Sequence, residues 1–196
     1  MEKANAIEST NATIIRNSGE VASCWATGIY YTKCFNKDGD LKWEDTIDNV
    51  VTNEGKNLAL NTFLSGSGYT VVGPFMGLIS GVSYTGLPVV GDTMLSHSTW
   101  YEVSATTYFP TIAARITTNG NWSAASNGSK QITAPISFSI ITNPGTLKGC
   151  FLVYGSGAVT TLGSNAGTLY SAGVFSGGDK VVGISDLVQV SYQASL

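Results

Sequence analysis

Ile132, Ala134, Ile136, Phe138 and Ile140 alternate with Gln131, Thr133, Ser137 and Ser139. A strict two-residue period puts one face of an extended segment against a core and the other in water, a pattern no helix satisfies. The same period runs through residues 21–35. There Trp25, Thr27, Ile29, Tyr31 and Phe35 share one parity, and Ala26, Gly28, Tyr30 and Thr32 the other. It returns at the C-terminal end, where Val188, Val190 and Tyr192 alternate with Gln189, Ser191 and Gln193. A chain written this way builds sheets.

The remaining segments agree. Phe75 to Ile79, Trp100 to Val103 and Leu169 to Phe175 read as short strands, and the nearly all-apolar Leu147 to Tyr154 reads as a central one. Lys37-Asp38-Gly39-Asp40 predicts a hairpin turn leading back through Leu41 and Trp43. Asn119-Gly120 predicts a second hairpin, between Ile112–Thr118 and Asn121–Ala125. Pro135 cannot donate to a ladder and marks an edge or bulge in its strand. One helix is expected near residues 53–65. Asn53 would cap it, Glu54 would meet the positive end of its dipole, and Ala59, Leu60, Phe63 and Leu64 would form its apolar face, closing one end or edge of the sheets. Ser65-Gly66-Ser67-Gly68 would stop it. About eight to ten strands without interleaved helices predict an all-β antiparallel sandwich. Residues 21–196 would form that single domain. Residues 1–20, polar and weakly patterned with a short strand at Ala12 to Ile15, would form an N-terminal arm.

Only 12% of the 196 residues are charged, so Ser, Thr, Asn and Gly must cover much of the surface. Net charge is −3 and the ten basic residues are scattered, which leaves no footprint for nucleic acid. No apolar run approaches the ~20 residues that span a bilayer, and no signal peptide is visible, so synthesis in a cytoplasm without membrane insertion is expected. Three cysteines, Cys24, Cys34 and Cys150, make no disulfide framework and are expected to be buried thiols. The Asn-x-Ser/Thr sites at Asn11, Asn121 and Asn127 are expected by chance in such a chain.

Candidate chemistry is sparse. His97 is the only histidine and lies between Asp92 and Glu102. Catalytic triads converge from separated segments and zinc wants three or four ligands, so Asp92 and Ser96 organising a turn is the favoured reading. Glu44, Asp45 and Asp48 have the spacing of a solvated edge rather than of paired glycosidase acids. Gly155-Ser156-Gly157 lacks the helix and lysine of a phosphate loop, and the Gly77–Gly81 stretch reads as ordinary β turns. The Gly/Ser/Thr-rich stretch 155–167 is expected to be an exposed contact tip. Trp43, Trp100, Tyr101 and Trp122 are candidates for sugar stacking or interface anchoring as well as for core. No catalytic, cofactor-binding or metal-binding residue is assigned, and no enzyme activity or cofactor is expected.

Two phrases carry a family likeness. Val50-Val51-Thr52-Asn53-Glu54-Gly55-Lys56-Asn57 precedes an apolar helix. Gly77-Leu78-Ile79 is followed by Asp92-Thr93-Met94, Ser96-His97 and Trp100-Tyr101-Glu102. From about residue 40 to the C-terminus the chain resembles virion structural proteins of tailed bacteriophages, most of all capsid cement or decoration proteins. The resemblance implies a jelly-roll-like sandwich without catalytic residues. It further implies a homo-oligomer bound across neighbouring subunits of the major capsid protein, on the exterior of the virion. The alternative is a tail or fibre component that binds host surface glycans.

Overall fold

The computed structural model describes residues 26–64 and 72–195. Along them run β1 (Thr27–Phe35), β2 (Leu41–Val51), α1 (Asn53–Leu64), β3 (Phe75–Ser80), β4 (Ile116–Thr117), β5 (Ser129–Gln131), β6 (Ile136–Ser139), β7 (Gly145–Tyr154), β8 (Thr168–Val174), β9 (Lys180–Val182) and β10 (Leu187–Ser195). Every strand pairing is antiparallel. The order is β4-β3-β7-β8-β2-β1-β10-β5, with β6 also on β10 and β9 on β7.

The long strand β2 explains how one sheet makes two layers. Its residues Leu41 to Asp48 pair with β1, and Asn49 to Val51 pair with β8. The sheet therefore curls at β2 and closes over itself. Tyr30, Cys34 and Ile47 from one half meet Met76, Leu78, Cys150 and Leu152 from the other, with Val188, Val190 and Tyr192 beside them. The result is an all-β antiparallel sandwich with, among the described residues, one short helix.

Local chemistry sets the turns. At the β1–β2 hairpin, Gly39 adopts φ +89° and the Asn36 side-chain oxygen accepts the amides of Asp38 and Asp40 at 2.9 and 2.8 Å. The expected Ile132–Ile140 strand is shortened to β6, with Pro135 just before it and Ile132 left with a single bridge to Trp122; β5, which ends before Ile132, and β6 occupy successive stretches of the same edge of β10. Cys34 and Cys150 are buried free thiols. Burial pushes the Cys34 thiol up to about 11, with Asp186 adding to the shift, and burial also raises that of Cys150.

Several expectations need correction. Asn119-Gly120 does form a turn, closed by the Asn121 amide on the Thr118 carbonyl at 3.1 Å, but it is no hairpin. The chain before it pairs with β3, whereas the chain after it pairs around Ile132. The two sides bury better against different neighbours than against each other. Trp100 to Val103 is likewise not a full strand. It lies along β3 through the Ser80 amide on Tyr101 O, the Val103 amide on Leu78 O and one bridge at Ile79–Glu102.

The helix starts where expected but is capped one residue earlier. The Thr52 hydroxyl accepts the Gly55 amide at 3.0 Å, and the Lys56 amide bonds the Thr52 carbonyl. Asn53 is thus the first helical residue, and its amide goes instead to the Val90 carbonyl at 2.8 Å. The buried face is also different: Gly55 and Leu58 face β8, while Ala59, Leu60 and Leu64 are exposed. Backbone proximity decides this, because a Cβ at Gly55 would stand 2.3 Å from the Tyr170 carbonyl oxygen. The side chain of Phe63, the N-terminal arm with its short strand, Cys24, Trp25 and the Ser65–Gly68 stop lie outside the described residues.

Candidate functional site

The outer surface of the β3–β7–β8 half is roofed by the long connections. A second apolar cluster forms there from Ile79, Phe151, Val153, Leu169 and Ala172 of the strands and Met94, Trp100 and Ala158 of the covering loops. The loop at 91–103 is fixed by its own polar groups. The Asp92 carboxylate accepts the Val89 amide at 3.1 Å and the Trp100 indole N–H at 2.9 Å. Thr93, not Ser96, supplies the turn's side-chain oxygen, accepting the Ser96 amide at 2.9 Å. His97 stacks on the Trp100 ring at 4.0 Å between centroids, and its Nδ1 lies 2.9 Å from the Trp100 carbonyl. A carbonyl only accepts, so Nδ1 is the donor of this contact, and Nε2 has no partner among the described residues.

Beneath this loop lies a buried ion pair. Arg115, with a side chain wholly removed from solvent, meets Glu102 in a two-pronged pair: Nε to Oε1 and a terminal nitrogen to Oε2, each at 2.8 Å. The guanidinium also donates to the carbonyls of Ser164 (2.7 Å) and Val159 (3.3 Å), and Glu102 accepts the Gly163 amide at 2.6 Å. The Phe151 ring lies 5.5 Å from the guanidinium carbon. A buried ion pair is costly to desolvate and is sustained only when its remaining donors and acceptors are satisfied. Here they are satisfied by the backbone of the 155–167 loop. That loop keeps most of its residues exposed, as expected from sequence, while its backbone is clamped to the core through Val159, Thr160, Gly163 and Ser164.

The sequence candidates are therefore separated. Asp92 serves an indole, Glu102 a guanidinium and His97 a backbone carbonyl. Glu44 pairs with Lys33 at 3.1 Å on an exposed face, whereas Asp45 pairs with Lys180 at 2.7 Å and accepts from Ser176 and Gly177; Asp48 is exposed. Burial works upward on the Asp45 carboxyl, but the hydrogen bonds from Lys180, Ser176, Gly177 and Thr46 outweigh it and hold the group below its ordinary value. Among the described residues no group of three His, Cys, Asp or Glu is placed to hold a metal, and no helix is long and apolar enough to cross a membrane.

The aromatic candidates also divide. The Trp43 indole donates to Val181 O and its ring meets Phe175 edge-on. The Trp122 indole donates to the Thr118 hydroxyl and its ring stands against Tyr192. Trp100 and Tyr101 instead wall a cavity of about 330 Å³ together with Met94, His97, Tyr108 and Asn165. Tyr101 and Tyr108 stack nearly parallel, 4.4 Å apart. A broader concavity of about 500 Å³ lies on the opposite half, lined by Tyr31, Lys33, Glu44, Thr46, Gln189 and Ser191. Sequence reasoning missed Arg115, which sits in Ala113-Ala114-Arg115-Ile116 with no motif around it. Its one signal was an arginine inside an otherwise apolar stretch.

The fold and this loop cluster define an all-β antiparallel sandwich with a roofed, aromatic-walled outer surface. Comparison with protein-family models, with curated proteins and with solved structures returns no match.

Proposed function

We propose that this protein is a structural component of a tailed-bacteriophage virion: a capsid cement or decoration protein that binds, as a homo-oligomer, across neighbouring subunits of the major capsid protein. In this reading it is made in the host cytoplasm, ends on the capsid exterior and works by contact rather than catalysis. The resemblance of residues 50–64 and 77–102 to such proteins supports it.

The observation that carries the reading is how those two stretches meet. The Asn53 amide bonds the Val90 carbonyl, so the segment around residues 87–95 abuts the start of α1. Both present aliphatic side chains to solvent: Leu60 and Leu64 on the helix, and Leu87, Val89, Val90 and Leu95 on the loop. Single exposed aliphatics are ordinary, but Leu87, Val89 and Val90 beside the start of α1, with Leu60 and Leu64 about 10 and 16 Å further along the helix, supply apolar side chains of the kind permanent interfaces bury.

Expanded capsids from particles lacking the protein provide the test. Added protein should co-sediment with them and raise the temperature at which they rupture. Leu60→Asp combined with Leu95→Asp should abolish co-sedimentation while leaving the circular dichroism spectrum unchanged. Full attachment by that double variant, or capsids no more heat-resistant with the protein than without it, overturns the reading.

A further inference from the structure

We infer that the cavity between the 91–108 and 155–167 loops is a binding site for a neutral saccharide, separate from the apolar surface on α1. The inference rests on what the cavity offers and on what it withholds.

Its walls are aromatic. The half-buried rings of His97, Tyr101 and Tyr108 line it, with the fully buried Trp100 and Phe151 behind them. Flat rings of this kind pack against the C–H face of a pyranose as they do against other apolar groups. A cavity of about 330 Å³ also falls at the lower end of small-ligand sites, which join apolar walls to a few placed polar groups.

Its charges are spent. The lining's carboxylate, Glu102, and its guanidinium, Arg115, are paired with each other. All three guanidinium nitrogens are engaged, as are both oxygens of the carboxylate. An anionic ligand finds no unpaired cation here, and a cationic one no unpaired carboxylate.

Its neutral polar groups are not spent. Nε2 of His97, the Asn165 amide and the hydroxyls of Tyr101 and Tyr108 have no hydrogen-bond partner among the described residues. Together they provide both donors and acceptors. A purely apolar ligand would strip water from these groups and return nothing, at the usual cost of an unmade hydrogen bond. A ring with hydroxyls at its edge and C–H bonds on its face satisfies both sets. The site is also held ready, because the buried pair clamps the 155–167 loop that carries Asn165.

Titration of the full chain with maltotriose, cellotriose and triacetylchitotriose, and with sialyllactose as the anionic arm, tests this. The readouts are tryptophan fluorescence and the amide resonances of Gly163 and Asn165. At least one neutral trisaccharide should bind saturably and move those resonances. Tyr108→Ala and Asn165→Ala should each weaken binding about tenfold or more, and Tyr31→Ala, on the opposite half, should leave it unchanged. Capsid co-sedimentation by Tyr108→Ala should match that of the unaltered protein, which separates this site from the contact surface. Absence of saturable binding by all three neutral sugars, binding of sialyllactose alone, or full affinity in both cavity variants overturns the inference.

Discussion

The two halves of the sandwich bury their strands differently. In the half built on β1, β2 and β10, burial alternates: Tyr30, Thr32 and Cys34 point inward while Tyr31 and Lys33 are exposed. In the half built on β3, β7 and β8, Met76 to Ser80 and Gly149 to Val153 are buried without interruption. The first half has one apolar neighbour, the facing sheet. The second has two, because α1 and the long loops add a second core on its far side. A one-sided sheet shows a period of two, and a two-sided sheet shows a continuous apolar run. The cavity lies on the two-sided half for the same reason: loops that pack onto a sheet leave shaped space between them, whereas the bare face offers only a broad concavity.

The largest test of this difference is Arg115→Ala. It strands Glu102 as an unpaired buried charge and should cost about 3–5 kcal/mol in chemical denaturation. The Gly163 amide should lose its protection from hydrogen exchange in the same variant. Met94→Ala probes whether a loop residue over the two-sided half behaves as core. It should cost about 2–4 kcal/mol, in the range of buried Met-to-Ala changes, and a cost near zero would mean the roof is not packed. Thr52→Ala removes the cap of α1 and a buried bond from its hydroxyl to the Leu169 carbonyl. A loss of about 1–2 kcal/mol is expected, read from the thermal midpoint.

Asp45 links the halves at β2 and responds to pH. Its folded carboxyl lies below its unfolded value, so its contribution is complete above the ordinary carboxylate range and is lost as pH falls through the folded value. Asp45→Asn should therefore flatten the acid limb of the stability profile, and an unaltered limb would show that the Lys180 contact carries no net energy. The smallest effect belongs to the bare face. Lys33 and Glu44 are both more than half exposed, so Lys33→Ala should change stability by about 0.5 kcal/mol or less.

The one-sided half was legible because its signals are local. The period of two in Val188 to Tyr192 and the Asp38-Gly39 turn each specify geometry within a few residues. The Asn119-Gly120 turn was legible as a turn and misread as a hairpin, since a turn dipeptide fixes the bend and not the partner. The helix face was misread for a related reason. Helical spacing offered Leu60 and Leu64 as the inner stripe, but the close approach of β8 admits Gly55 and Leu58. In the candidate site, Trp100 and Tyr101 were visible as aromatics, whereas Arg115 and Glu102, thirteen residues apart, carried no sign that they would meet.

Local pattern along the chain specifies the class of fold: an all-β chain with one helix after residue 52 and a sparsely charged, Ser/Thr/Asn-rich surface. Those properties follow from periodicity and backbone preference, which act between near neighbours. Long-range packing set the rest: β2 serves both halves, Thr52 rather than Asn53 caps α1, and a buried arginine fixes a Gly-rich loop as the wall of a cavity. Each depends on groups far apart in the chain competing for the same buried space, where an unpaired polar atom costs more than any local preference can return.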